Sequence, residues 1–206
     1  MTNGFTMSEA KTKTSKAARN RAFIYDLVLI SISAALITVC SLISLSIGPV
    51  PFTLQTMGIL AVLLACGGRR GAIAIVVYLL MGACGLPVFA GFKGGLTSFM
   101  GPTGGFLIGF AFAGLVYWLF EKILFKRLMN STVKTLIFGT INSIVFEVVM
   151  YVFGVIWFMN VYVSESGPVG LATVMSWCVI PFIIPDIVKL IVAVVIGERA
   201  SKLVKY

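Results

Sequence analysis

Apolar residues fill this chain in long runs that charges interrupt only at wide intervals. Cutting the sequence at its charged positions, except Glu147, Asp186 and Lys189, leaves apolar stretches at 27–68, 71–92, 94–120, 135–164 and 166–197, with a short remnant at 123–125. A membrane-spanning helix takes about 20 mostly apolar residues. The first stretch is far longer than that and is broken by Gly48, Pro49 and Pro51. It is expected to turn there, giving a first helix over residues 27–47 and a shorter second one over 53–67. A third helix is expected over 71–84, stopped by Gly85 and Pro87. Residues 85–105, rich in glycine and proline, read as a long loop. A fourth helix follows over 104–125. The fifth lies within 134–160, with Glu147 near its middle, and the sixth within 169–203, with Asp186 and Lys189 inside it. The pattern predicts an all-α integral membrane protein with six transmembrane helices.

Composition agrees and sharpens the class. Of 206 residues, 59% are hydrophobic and only 11% charged, with a mean hydropathy of +1.07. Soluble domains carry about 25% charged residues, so a water-soluble globule is excluded. A net charge of +9 would suit a nucleic-acid partner, but membrane topology accounts for it better. Lys11, Lys13, Lys16, Arg19 and Arg21 precede the first helix, and Arg69 and Arg70 separate the second and third. Lys122, Lys126, Arg127 and Lys134 surround the turn between the fourth and fifth, and Arg199, Lys202 and Lys205 close the chain. Fourteen of the sixteen basic residues thus fall on one side. The positive-inside tendency makes that side, with both termini, cytoplasmic; no nucleic acid is expected. Residues 1–22 read as a polar, mobile cytoplasmic tail and 23–206 as a single transmembrane domain. The apolar run behind the tail reaches full spanning length, unlike a cleaved leader. The outward connections, 48–52, 85–103 and 161–168, are almost uncharged. The second is too apolar for a solvated tether and is expected to fold back over the bundle.

Few residues could carry chemistry. Cys40, Cys66, Cys84 and Cys178 lie in apolar stretches, form no CxxC and have no histidine to join them, so no metal site is expected. Asp186 and Lys189 stand out, because a charge in a spanning helix costs about 2.5–3.5 kcal/mol on insertion scales. Spaced i, i+3, they share one helix face. Pro181 and Pro185 nearby each remove a backbone donor and leave carbonyls free. This is the setting a small polar ligand needs, set against a buried ion pair that only pins the helix. Glu147 has no partner close in sequence; Asn142 and Lys189 are candidates across helices. The glycines of 101–105 lack the Gly-Lys-Ser/Thr ending of a nucleotide loop, so the chain has no ATPase motif of its own. They serve close packing or ligand contact. On the first helix, Ser31, Ala34, Ala35 and Thr38 offer small residues for close approach, either internal or to a partner.

Five segments in order, GPVPFTLQT at 48–56, RRG at 69–71, GLPVFAG at 85–91, GPTGG at 101–105 and PDIVK at 185–189, resemble the BioY family over residues 23–203. These are the biotin-specific substrate-binding (S) subunits of prokaryotic energy-coupling factor (ECF) transporters. The resemblance implies a multi-pass protein of the prokaryotic cell membrane with the bundle of an ECF S-component. It would capture biotin from outside and work with a transmembrane coupling subunit and two cytoplasmic ATPases, needing no cofactor of its own. It further implies a site formed by Asp186 and Lys189 from the sixth helix and Thr53 and Gln55 from the first outward loop. Phe89, Gly91, Gly94 and Gly95 would come from the second loop, where Phe92 and Lys93 depart from the usual small or polar residues. In such a site Lys189 or Lys93 would meet an oxygen or the carboxylate tail of biotin. Phe52, Tyr78, Phe89 and Trp177 would wall its apolar ring. The toppling of such a subunit against its coupling partner would explain a small-residue face at Ser31, Ala34, Ala35 and Thr38.

Two other classes fit the residues less well. One is a proton-coupled carrier working alone, but clear inverted repeats are missing from the sequence. The other is an intramembrane enzyme using Asp186 and Glu147 as acid and base, for which no nucleophile, histidine or metal cluster is at hand.

Overall fold

A computed structural model describes residues 3–46, 48–128, 132–166 and 170–204. The helices are α1 (Asn3–Leu42), α2 (Gln55–Cys66), α3 (Gly68–Ala83), α4 (Thr97–Met100), α5 (Gly104–Leu128), α6 (Thr132–Ser166), α7 (Leu171–Cys178) and α8 (Ile180–Val204). Two short strands, β1 (Ser44–Leu45) and β2 (Phe52–Thr53), pair antiparallel. Among the described residues four helical stretches have the length and apolarity to cross a membrane: Lys16–Leu42, Gly104–Ile123, Leu136–Tyr162 and Leu171–Val204. The last joins α7 and α8.

The expected N-terminal tail is helical from Asn3 on and forms the first part of α1, which runs unbroken for 40 residues. Its polar portion is rich in Ala, Lys and Arg, all good helix formers, and has no proline. At the other end α1 stops at Leu42 rather than 47, because the chain turns into a hairpin in which Ser44 opposes Thr53 and Leu45 opposes Phe52. Gly48, at φ +106°, lies within that hairpin's loop. The expected sixth helix is broken at Val179 (φ −124°, ψ −58°), two residues before Pro181. Proline removes one helical hydrogen bond and disfavours α geometry in the residue before it. Pro185 is carried inside α8. The fifth helix runs further than expected, so of the predicted loop 161–168 all but the residues outside the described set is helical.

The central element is α2, with Ile59, Leu60 and Leu63 fully buried. It packs chiefly along α8, and also against α1 and α3, while α5 packs along α6 and α3. Small residues bring α5 and α6 together. Gly105 lies against Trp157, Gly109 against Phe153 and Met150, and Gly154 against the ring of Phe106. On α8 the surface is inverted relative to a soluble helix. Ile184, Ile187 and Val188 are exposed, while Asp186 and Lys189 are 4% and 5% exposed. Lipid on the outside and a polar interior produce that arrangement.

At the end of the bundle carrying Arg69 and Arg70, polar ties lock the helices. Arg70 Nε donates to Asp26 Oδ1 at 2.7 Å, with its guanidinium over the Tyr25 ring, and the Tyr25 hydroxyl donates to the Val204 carbonyl at 3.0 Å. The Gly68 N–H donates to Glu121 Oε2 at 2.6 Å, placing a carboxylate at the positive end of α3.

Candidate ligand-binding site

The opposite end of the bundle holds a cavity of about 590 Å³, within the range usual for small-molecule sites. Four parts of the chain build it. The hairpin and first turn of α2 contribute Pro49 to Pro51, Thr53, Gln55 and Thr56. The 84–103 segment contributes Phe89, Lys93, Gly94, Ser98 and Gly101 to Thr103. The middle of the bundle gives Phe106, Phe110, Met150 and Tyr151, and the kinked helix pair gives Cys178, Phe182, Asp186 and Lys189.

The segment after α3 does fold back over the bundle. Phe89 is 3% exposed and packs edge-on against both Tyr78 and Phe99. Phe89 and Lys93 pair through both backbone hydrogen bonds, at 2.9 and 3.3 Å, around a tight turn over Ala90–Phe92. Within it Gly91 and Phe92 both take positive φ, +69° and +58°. That conformation is unfavourable for a phenylalanine; it turns the Phe92 side chain outward and returns Lys93 to the cavity wall. The Gly91 N–H is held by Ser44 Oγ at 3.2 Å, joining this turn to the hairpin.

The polar focus is on α8. Lys189 Nζ donates to Asp186 Oδ1 at 2.8 Å, and the Tyr151 hydroxyl donates to Asp186 Oδ2. Each carboxylate oxygen thus holds a protein donor, while the ammonium uses one of its three protons on Asp186. The ammonium also sits 4.2 Å from the centre of the Phe52 ring, a cation–π contact, and Phe52 stacks on Phe182. Across the cavity, Gln55 Nε2 donates to the Tyr78 hydroxyl at 2.9 Å, and that hydroxyl donates to Ser41 Oγ at 2.9 Å. With one amide N–H engaged behind the wall, Gln55 has its carbonyl and its second N–H left to offer.

Of the residues expected from the sequence, Asp186, Lys189, Gln55, Thr53, Phe89, Lys93 and Gly94 come together around this cavity. Five do not line it, among them Phe52, which lies behind the Lys189 ammonium and stacks on Phe182. Tyr78 is fully buried behind Gln55, because its hydroxyl is the hub of the Gln55–Ser41 network. Trp177 turns to pack edge-on against Tyr162. Gly91 and Gly95 shape the second loop through positive φ without facing the cavity. Glu147 does not pair with Asn142, whose Nδ2 donates to the Tyr117 carbonyl at 3.0 Å; Glu147 Oε1 is buried with no hydrogen-bond partner among the described residues. The small residues of α1 point two ways. Ala34 is 2% exposed and faces the internal core, so it is not available to a partner, and Thr38 is half-buried with its hydroxyl returned to the Ala34 carbonyl at 2.9 Å. Ser31 and Ala35 are exposed.

Tyr151 is the residue the sequence reading passed over. Its position four residues after Glu147, on the same helix face, is the pattern that could have drawn attention to it.

An apolar helical bundle with a walled cavity at one end and a buried acid–base pair in the cavity wall defines a membrane-embedded solute-binding protein. The chain belongs to the BioY family, whose model matches residues 9–206. It is 37% identical over 180 residues to the biotin transporter BioY of Thermotoga maritima, covering 86% of this chain and 96% of that one. It is 36% identical over 174 residues to a probable biotin transporter BioY of Pyrococcus horikoshii, covering 84% and 94%. Among solved structures, the crystal structure of the S-component for biotin from an ECF-type ABC transporter superposes with a TM-score of 0.72 at 29% identity, covering 89% of this chain and 94% of that one.

Proposed function

We propose that this chain is the biotin-capturing subunit of an ECF-type transporter in a prokaryotic cell membrane. The observation that carries the reading is the Asp186–Lys189 pair, buried in the wall of a small-molecule-sized cavity in a chain of the BioY family. Biotin combines a ureido ring that donates and accepts hydrogen bonds, an apolar thiophane ring and an anionic tail. Lys189 has protons to give to a ligand oxygen, Gln55 and Asp186 can accept from a ureido N–H, and Phe89, Phe106 and Phe182 supply apolar walls. Lys93, at the rim, attracts the anion.

In this reading α7 and α8 form one kinked span, so the chain crosses the membrane six times with both termini in the cytoplasm. The locked basic end faces the cytoplasm and the cavity faces outward. The subunit is not an enzyme; a coupling subunit and two ATPases supply the energy. Calorimetry on the purified chain in detergent, with desthiobiotin for comparison, tests it. Tight one-to-one binding of biotin without ATP is expected, and a folded protein that binds none would end the assignment. Uptake by the chain alone, driven by a proton gradient in vesicles, would favour a secondary carrier instead.

The exposed part of the α1 small-residue face, Ser31 and Ala35, is the part offered to the coupling subunit. Ser31→Trp or Ala35→Trp is expected to cut uptake by the assembled transporter about tenfold or more, since bulk blocks close helix approach, while leaving biotin affinity of the solitary chain unchanged. Normal uptake by both variants would leave this face to lipid.

A further inference from the structure

Asp186 and Lys189 sit near the start of a helix that follows a break and carries a proline. α8 begins at the Val179 break and carries Pro185 immediately before Asp186. It packs chiefly on α2 and meets α6 along a much narrower strip. Across that strip the Tyr151 hydroxyl donates to Asp186 Oδ2, a polar tie between α6 and α8 inside the cavity wall. Tyr151 is itself held in place. The Phe106 ring packs edge-on against it with centroids 6.3 Å apart, and Phe106 lies against Gly154 one turn further along α6. The phenol is therefore a packed donor on α6 aimed at a carboxylate on α8.

We propose that Tyr151 is a positioning residue for ligand capture. By holding Asp186 Oδ2 it fixes the carboxylate, which through Oδ1 fixes the Lys189 ammonium that faces the ligand. The chain of contacts runs from α6 through Asp186 to Lys189, with Phe52 bracing the far side of the ammonium. The inference rests on the biotin-capture reading and adds a residue to it. In ligand-free protein in solution, water entering the cavity replaces a missing hydroxyl at Asp186. Once a ligand fills the cavity that replacement is displaced, so the cost of losing the phenol falls on the bound state.

The test is Tyr151→Phe, which keeps the ring and its packing on Phe106. Biotin affinity by calorimetry is expected to fall roughly tenfold, the usual scale for a hydrogen bond to a charged group, with the thermal midpoint of the ligand-free protein nearly unchanged. In an Asp186→Asn background, measured by competition at high ligand concentration, the same substitution should cost much less, because the charged group it orients is gone. Affinity within twofold of wild type would overturn the proposal. So would an equal fall in ligand-free stability together with a cost that persists in the Asp186→Asn background, since that is a packing role. If the folded wild-type chain binds no biotin, the functional reading fails first and takes this inference with it; wild-type binding that Tyr151→Phe leaves intact removes the inference alone.

Discussion

Asp186→Asn is expected to reduce biotin affinity by roughly a hundredfold or more in a protein that still inserts into the membrane. The carboxylate holds Lys189 at 2.8 Å inside the wall, with both side chains 6% exposed. Neutralising one partner of a buried ion pair leaves the other charge uncompensated, so the Lys189 ammonium is no longer held in one direction toward the ligand. The amide keeps the size and much of the hydrogen bonding of the carboxylate, so the bundle and its apolar contacts with lipid are retained. What is lost is the fixed direction of the ammonium and the acceptor strength of the wall. Calorimetry with biotin, alongside thermal unfolding in detergent, separates the two. Unchanged affinity would remove Asp186 from the site.

A second large effect is expected from a single methyl group at Gly94. A Cβ built there runs into the Leu86 carbonyl, with the Gly85 carbonyl oxygen 3.0 Å away. Neither can move freely. The Leu86 N–H is bonded to the Met81 carbonyl, the Val88 N–H to the Leu86 carbonyl, and the Gly95 N–H to the Gly82 carbonyl at 2.7 Å. Gly94→Ala must therefore displace the segment that carries Phe89 and Lys93. Overpacking of this kind costs about 1–3 kcal/mol of stability, and the displacement of Phe89 and Lys93 from the cavity wall is expected to lower biotin affinity roughly tenfold. Gly101→Ala is the contrast. It also lies in the cavity wall, but its φ is −74° and its nearest neighbour would be 3.8 Å away. A much smaller loss is expected there, and equal losses in the two variants would contradict the steric account.

How far the sequence could be read depended on the range of the forces involved. Long apolar runs and the one-sided placement of Arg69, Arg70 and Lys122 report on the chain's relation to the bilayer, a property each segment has by itself. Asp186 and Lys189 were legible for the same reason, since charge inside an apolar run is costly wherever the run ends up. Tyr151 was not. A tyrosine in an apolar helix has no meaning until α8 places Asp186 opposite it, and that placement is tertiary. Trp177 and Tyr78 failed in the opposite direction: aromatic residues near a site look like walls, but the Tyr162 ring took one and the Ser41 and Gln55 side chains took the other. The helical extension of α1 through its polar start follows from local propensity, which an argument built on hydropathy alone passes over. The β1–β2 hairpin pairs residues 44–45 with 52–53, too short to leave any periodic signal.

The central helix is also a short one. At 12 residues and 1.5 Å per residue, α2 covers about 18 Å, whereas the hydrocarbon layer is about 30 Å deep. Gln55, its first residue, stands in the cavity wall, so in the proposed orientation the chamber continues the column of a helix that begins below the membrane surface, and its depth is set by where that helix begins. In the proposed orientation, a solute that reaches its floor lies below the plane of the lipid headgroups and sheds water on the way. The first part of the journey across the membrane would then be made by binding.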